Sequence, residues 1–185
     1  MRWLILPISF LAAAAAFLLP AQTNAPNGSG VSFGHIHLYV PDVAVTEKLL
    51  VDILGGTPKT IGVLRTVKTP GVFFILNPKP DGAGTDGSAV NHVGFYVKSY
   101  AEVKAKAEAA GLAIRELTPN VQAFITFPGG VLVEVQEDPN TTVTAAFSHY
   151  HLSAPDPLAA RDWYLKTFGA AEAERRKGAK GAGLT

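Results

Sequence analysis

The 185-residue sequence contains no cysteine, which removes disulfides, thiolate metal ligands, cysteine nucleophiles and lipid anchoring through a thiol. Any metal bound here must use nitrogen and oxygen. A charge excess is missing too: 16 Lys+Arg against 15 Asp+Glu give a formal +1, and only 17% of residues are charged, so no basic surface for nucleic acid is expected. Long hydrophobic runs are absent except for one, Trp3 to Leu19, preceded by Arg2 and followed by Pro20-Ala21. That order of charge, apolar core and small residue predicts a signal peptide over residues 1–21 and an exported protein, periplasmic or extracellular. An uncleaved anchor is the alternative, because the run approaches spanning length. Residues 22–31 are small and polar and read as a flexible linker. What remains, 48% hydrophobic over the whole chain, is enough for one globular domain with a core.

The chain does have histidine in a repeating pattern. His35, His92 and His149 stand 57 residues apart, and His37 and His151 follow the outer pair by two. Each leading histidine opens an alternating apolar segment, then a helix-like stretch closed by Gly55, Gly111 or Gly169, so the repeat is a structural unit and not a short motif. Alternation places Ile36, Leu38 and Val40 on one face of the first strand, with His35, His37 and Tyr39 on the other. The second copy repeats this with Val93, Phe95 and Val97 against His92, Gly94 and Tyr96; the third sets His149, His151 and Ser153 opposite Leu152.

Helix starts are signalled by Asp42, by the capping box Ser99-Tyr-Ala-Glu102 and by Asp156-Pro157. Leu49, Leu50, Ile53 and Leu54 make a stripe that would cover a sheet. Further strands are expected near 61–67 and 72–76 in the first unit, and near 113–116, 121–127 and 131–136 in the second. The turn Phe127-Pro-Gly-Gly130 leads into Val131-Leu-Val-Glu-Val-Gln136, where Glu134 interrupts an apolar strand. Its counterpart in the first unit is Ile75 or Leu76, depending on one gap. Pro78 to Ser88, rich in Gly and Asp, lacks the following helix that a phosphate loop needs and reads as a linker. After His149 the chain holds only one strand, one helix around Leu158 to Phe168 and a tail rich in Gly, Ala and Lys. Such a piece cannot close a sheet, so either the sequence is part of a longer two-domain protein or the piece packs on the first domain or on another chain.

This arrangement resembles the vicinal oxygen chelate superfamily, which includes glyoxalase I, fosfomycin and bleomycin resistance proteins and extradiol dioxygenases. The resemblance covers residues 33–137 and restarts at 148. It implies an α+β fold in which paired βαβββ modules form a cupped mixed sheet. One domain would span 32–140, with modules at 32–80 and 90–138, and a second, incomplete one would begin at 146 and run to 185. It implies one divalent ion per domain, Fe(II), Mn(II) or Zn(II), held by His35, His92 and Glu134, with no fourth ligand where glyoxalase I has one. His37 would be an acid-base or supporting group, or else a rim residue; Tyr96 and Tyr39 would bond a ligand or fill the pocket. Arg65 and Lys68 suit an anionic substrate or a solvated edge. His149 and His151 would belong to the incomplete second site.

The activity so implied is metal-dependent chemistry on a small molecule with vicinal oxygens, by a ring-cleaving dioxygenase or a glyoxalase-like lyase or isomerase. Its alternative is a metal-free module that binds or sequesters small molecules. A third reading is a structural repeat that assembles through its open edges. Expected partners are the small-molecule substrate and either a second copy or a missing C-terminal half-domain; the membrane is met only through the signal peptide.

Overall fold

The computed structural model describes residues 25–81 and 84–172. The apolar run expected as a signal peptide and most of the Gly/Ala/Lys tail lie outside them. Among the described residues no helix is long and apolar enough to cross a membrane.

The first unit forms β1 (His35–Val40), α1 (Val43–Leu54), β2 (Thr57–Ile61), β3 (Leu64–Thr69) and β4 (Val72–Pro78). The second forms β5 (Val90–Val97), α2 (Tyr100–Ala109), β6 (Ala113–Thr118), β7 (Gln122–Phe127) and β8 (Val131–Glu137). Both are βαβββ modules. In each, the first and last strands run parallel, β1 beside β4 and β5 beside β8, which the intervening helix makes possible by carrying the chain back across the sheet. β9 (Ala145–Leu152) and α3 (Pro157–Phe168) begin the third unit.

Local chemistry sets the helix ends. Asp42, Ser99 and Asp156 accept hydrogen bonds from backbone N–H groups of the first turns, and Gly55 closes α1 in the left-handed conformation that a side chain would disfavour. Leu50, Ile53 and Leu54 of α1 are buried together with Leu38 and Val40 of β1 and with Val93, Phe95 and Val97 of β5. The apolar parity of both opening strands therefore becomes one shared core.

Two local features depart from the sequence expectation. The strand expected at 61–67 is a hairpin, β2 and β3 joined at Gly62-Val63, with Gly62 at φ 60. Pro58 is accommodated in β2 because that strand lies at the sheet edge, where a missing N–H costs no ladder bond. The linker segment is also anchored: the Asn27 side-chain amide donates to the carbonyls of Phe168 and Gly169 at the end of α3.

Strand pairing departs most. The two modules do not share a sheet; β1-β4-β3-β2 form one, and β6-β7-β8-β5-β9 form the other. β9 lies antiparallel to β5 and covers the edge that would otherwise be open. It is tied to the first sheet by the bond from the Phe147 N–H to the Pro70 carbonyl (2.8 Å) and by Phe33, which stacks on Phe147 at 5.2 Å and on Tyr150 at 5.1 Å. The isolated strand of the third unit thus completes the second module.

Candidate metal centre

The pairing of β5 with β9 sets His92 opposite His151 and Gly94 opposite His149. Parallel pairing with β8 sets Gly94 beside Glu134. Three side chains meet as a result. His92 Nε2 lies 3.1 Å from Glu134 Oε2, His149 Nε2 lies 3.8 Å from the same oxygen, and the two nitrogens are 3.3 Å apart. The ring of His151 is 4.8 Å from that of His92, and one ligand nitrogen from each of His92, His149 and His151 falls within a 4.8 Å group.

The supporting bonds aim these atoms inward. Asn91 donates its amide N–H to Asp86 (2.9 Å), which turns its Oδ1 toward His92 Nδ1 at 2.9 Å. An amide oxygen only accepts, so His92 Nδ1 donates to it, and Nε2 is the nitrogen turned toward Glu134 and His149. Gln122 donates to Glu134 Oε1 at 2.7 Å, leaving Oε2 for the imidazoles. Ser148 Oγ stands 3.2 Å from His149 Nδ1. The register slips between Val90 and His92 and between Gly94 and Phe95, so Asn91 on β5 and Ser148 on β9 are the two extra residues. Both bulged residues therefore contact the Nδ1 of the histidine that follows them, in keeping with the tendency of bulges to re-aim side chains beside sites.

Gly94 makes the close approach possible. A Cβ there would stand within 2.7 Å of His149 Nε2 and would overlap Cε1 and Nδ1 as well. Behind His92, which is 5% exposed, Phe124 packs edge-on at 4.8 Å, with the Arg115 guanidinium on the same ring. Burial pushes the Glu134 carboxyl up, but the hydrogen bonds from His92 and Gln122 and the nearby imidazole charge outweigh it and hold the group below the usual carboxylate range. The His151 imidazole is pushed down, chiefly by burial, so its neutral form is favoured.

The donor set fits a divalent cation. Ligand atoms about 2.1 Å from one ion are separated by about 3.0 Å in octahedral and about 3.4 Å in tetrahedral geometry. Two edges of the triangle match those values, and the third is longer by a few tenths of an ångström.

Of the residues expected at the site, His92 and Glu134 meet. His35 does not join them. It lies on β1 in the other sheet, where its ring meets that of His37 at 5.1 Å, and the place expected for it is taken by His149. The physical reason is the choice of partner for β5: its free edge accepts β9, so the imidazole that crosses to it comes from the third unit. His37 is also on β1, 3.1 Å from the Asn77 amide, and Tyr96 is half-buried two positions beyond Gly94 on β5. Asn91, Gln122, Ser148 and Gly94 carried no chemical signal in the sequence, although Gly94 could have been noticed as the one residue of the histidine faces too small to fill its place.

No family model matches the chain, and no curated protein does. Solved structures do. A Bacillus subtilis strain 168 protein provisionally called a dioxygenase superposes with a TM-score of 0.57 at 12% identity, over 85% of this chain and 59% of its own. The chain thus spans about three fifths of that protein's length. The fosfomycin resistance protein FosX of Listeria monocytogenes gives 0.49 at 17% identity over 58% of this chain and 93% of its own. A possible glyoxalase from Bacillus cereus gives 0.44 at 22% identity over 55% and 95%. The Bacillus subtilis superposition and the two βαβββ modules show the fold alone, one of the vicinal oxygen chelate type.

Proposed function

We propose that this chain is an exported, metal-dependent enzyme of the vicinal oxygen chelate type acting on a small molecule with two adjacent oxygens, by ring cleavage or by glyoxalase-like lyase or isomerase chemistry. The observation that carries the reading is the convergence of His92 Nε2, His149 Nε2 and Glu134 Oε2 within 3.1 to 3.8 Å of one another. These three residues would hold Fe(II), Mn(II) or Zn(II), whose Lewis acidity toward paired oxygens is the chemistry a bound ion supplies. Glu134 offsets its charge, and Phe124 with the buried core keeps water from the inner side. His151, whose neutral form is favoured, would accept a proton from a ligand hydroxyl, and Tyr96, which follows His92 and Gly94 on alternate positions of β5, would orient the ligand. Export rests on the apolar run in residues 1–21.

A second reading is favoured by one observation: the donors already satisfy each other, through the His92–Glu134 and Gln122–Glu134 contacts, and no buried side-chain polar atom among the described residues lacks a partner. In that reading the same face binds a ligand without an ion. Elemental analysis separates the two. Protein purified without chelators is expected to contain about one divalent ion per chain, lost in Glu134→Ala, and to consume oxygen with catechols if the chemistry is ring cleavage. A metal-free protein whose ligand binding survives both His92→Ala and Glu134→Ala establishes the binding module instead.

A further inference from the structure

The segment between the two modules, which the sequence marks only as a linker, touches both strands that carry His92 and Glu134. Thr85 donates its backbone N–H to the Gly130 carbonyl at 3.0 Å, and its Oγ accepts the Leu132 N–H at 2.9 Å, two residues ahead of Glu134 on β8. Gly84 packs so closely on the β7–β8 turn that a Cβ on it would stand 2.9 Å from the Gly130 carbonyl oxygen. Anchored in this way, the next residue, Asp86, reaches β5: its Oδ1 accepts the side-chain N–H of Asn91 at 2.9 Å.

An amide side chain presents a donor on one side and an acceptor on the other, and it can turn over. In the orientation observed, Asn91 gives its N–H to Asp86 and its Oδ1 to His92 Nδ1, also at 2.9 Å. Turned over, it would set an amide oxygen against a carboxylate oxygen, two acceptors with no proton between them. Asp86 therefore removes that alternative. The amide oxygen then holds a proton on His92 Nδ1.

Without Asp86 the balance would reverse. A turned Asn91 would donate to Nδ1, the proton of the neutral imidazole would sit on Nε2, and Glu134 Oε2, 3.1 Å away, would accept it. All of these groups would be satisfied, with a proton where an ion would bind. With Asp86 in place, the neutral imidazole turns the Nε2 lone pair toward the carboxylate instead, and two electron-pair donors that face each other draw in a cation. The bulged residue on β9 has no such device: Ser148 Oγ stands 3.2 Å from His149 Nδ1, and a hydroxyl serves as donor or acceptor, so it leaves the His149 tautomer open. In the first unit the equivalent position is Gly34, which has no side chain.

We infer that Asp86 is a positioning residue of this site, acting through Asn91 to fix the proton of neutral His92 on Nδ1 and so to keep Nε2 open to a divalent cation. The tautomer follows from hydrogen-bond polarity alone; its use by an ion rests on the function proposed above.

The test combines imidazole nitrogen NMR on the full chain, carrying isotope-labelled histidine, with calorimetric zinc titration. In alkaline solution, where imidazoles are neutral, the metal-free protein is expected to hold the His92 proton on Nδ1. Asp86→Asn is isosteric and lies at an exposed position, so the fold should be kept, but it offers Asn91 a partner in either orientation. The Nδ1 tautomer should then no longer dominate, and zinc affinity should fall about tenfold. Exchanging the pair, Asp86→Asn/Asn91→Asp, again sets an acceptor-only group beside Nδ1 and should restore both readings, which a merely structural contact would not do. An unchanged tautomer in Asp86→Asn, or a double variant no better than the single one, overturns the inference. A parent chain that binds no zinc removes the proposed enzyme, while the His92 nitrogen signals of the metal-free protein still decide the role of Asp86.

Discussion

β1 and β5 carry a histidine at equivalent positions of the repeat, follow the same alternation and pack the same face against the same core, yet among the described residues one of them, β5, holds a compact cluster of potential metal-ligand atoms. β5 is covered on both edges, by β8 and β9, and its His92 is buried among Phe124, Glu134 and two more histidines. Among the described residues β1 has a strand partner on one edge, and its His35 and His37 are exposed. The difference comes from what crosses to the open edge and from the strand behind, where β8 supplies Glu134 and β4 supplies Ile75. Near the head of a strand, a histidine of this chain thus joins a cluster of ligand-type atoms where two further strands bring it partners.

Substitutions at the β5 site should break the comparison most strongly. His92→Ala or Glu134→Ala removes a ligand from a set of three and is expected to weaken binding of a divalent ion by more than about 100-fold, beyond the loss typical of a supporting residue, as read by isothermal titration calorimetry. Next comes Gly94→Ala, whose methyl overlaps the His149 ring. Displacing that imidazole should weaken binding about 10- to 100-fold, and in the His149→Ala background the same change should add almost nothing, because the ring it disturbs is gone. If Gly94→Ala binds the ion as tightly as the parent, His149 is not a ligand.

Gln122→Leu leaves Glu134 in place but removes the donor that holds Oε1, so a loss near 10-fold is expected by the same measurement. Acidification should act in the same direction. Protons compete for the imidazole nitrogens, so affinity is expected to fall by at least about tenfold between pH 7.5 and 5.5. The metal-free protein sharpens this. Glu134 has its folded pKa below its unfolded value, so its contribution to stability is present above the ordinary carboxylate pKa and disappears as pH falls through the lowered one. Thermal melts of the Glu134→Gln variant should lack that acid-limb component.

The smallest effect is expected on β1. His35→Ala should leave the ion on β5 unchanged and alter stability by no more than about 0.5 kcal/mol, as for an exposed side chain without a special role. A tenfold loss of that ion in His35→Ala would restore His35 to the first site and would contradict the strand pairing described above.

Much of this molecule was legible in its sequence, for reasons that can be traced residue by residue. The 57-residue spacing and the alternation around His35 and His92 carried the modules and the buried faces, because side-chain parity along a strand depends only on the backbone. Asp42, Ser99, Asp156 and Gly55 carried the helix ends, because capping is satisfied within a few residues. Glu134 stood out as a carboxylate in an apolar strand. The hairpin of β2 and β3 was less legible, since Pro58 is compatible with a strand only at an edge, and edges are a property of the sheet.

The sequence by itself determined the repeated unit, the polar face on each opening strand and the nitrogen and oxygen character of any metal site. Only the tertiary structure decided which histidines meet, replacing His35 with His149, and it did so by long-range pairing of β9 with β5. Spacing along the chain cannot encode that choice when three equivalent strands compete for one another's edges. Which edge is covered depends on burial across the whole core, from Phe33 against Phe147 to Gly94 beneath His149.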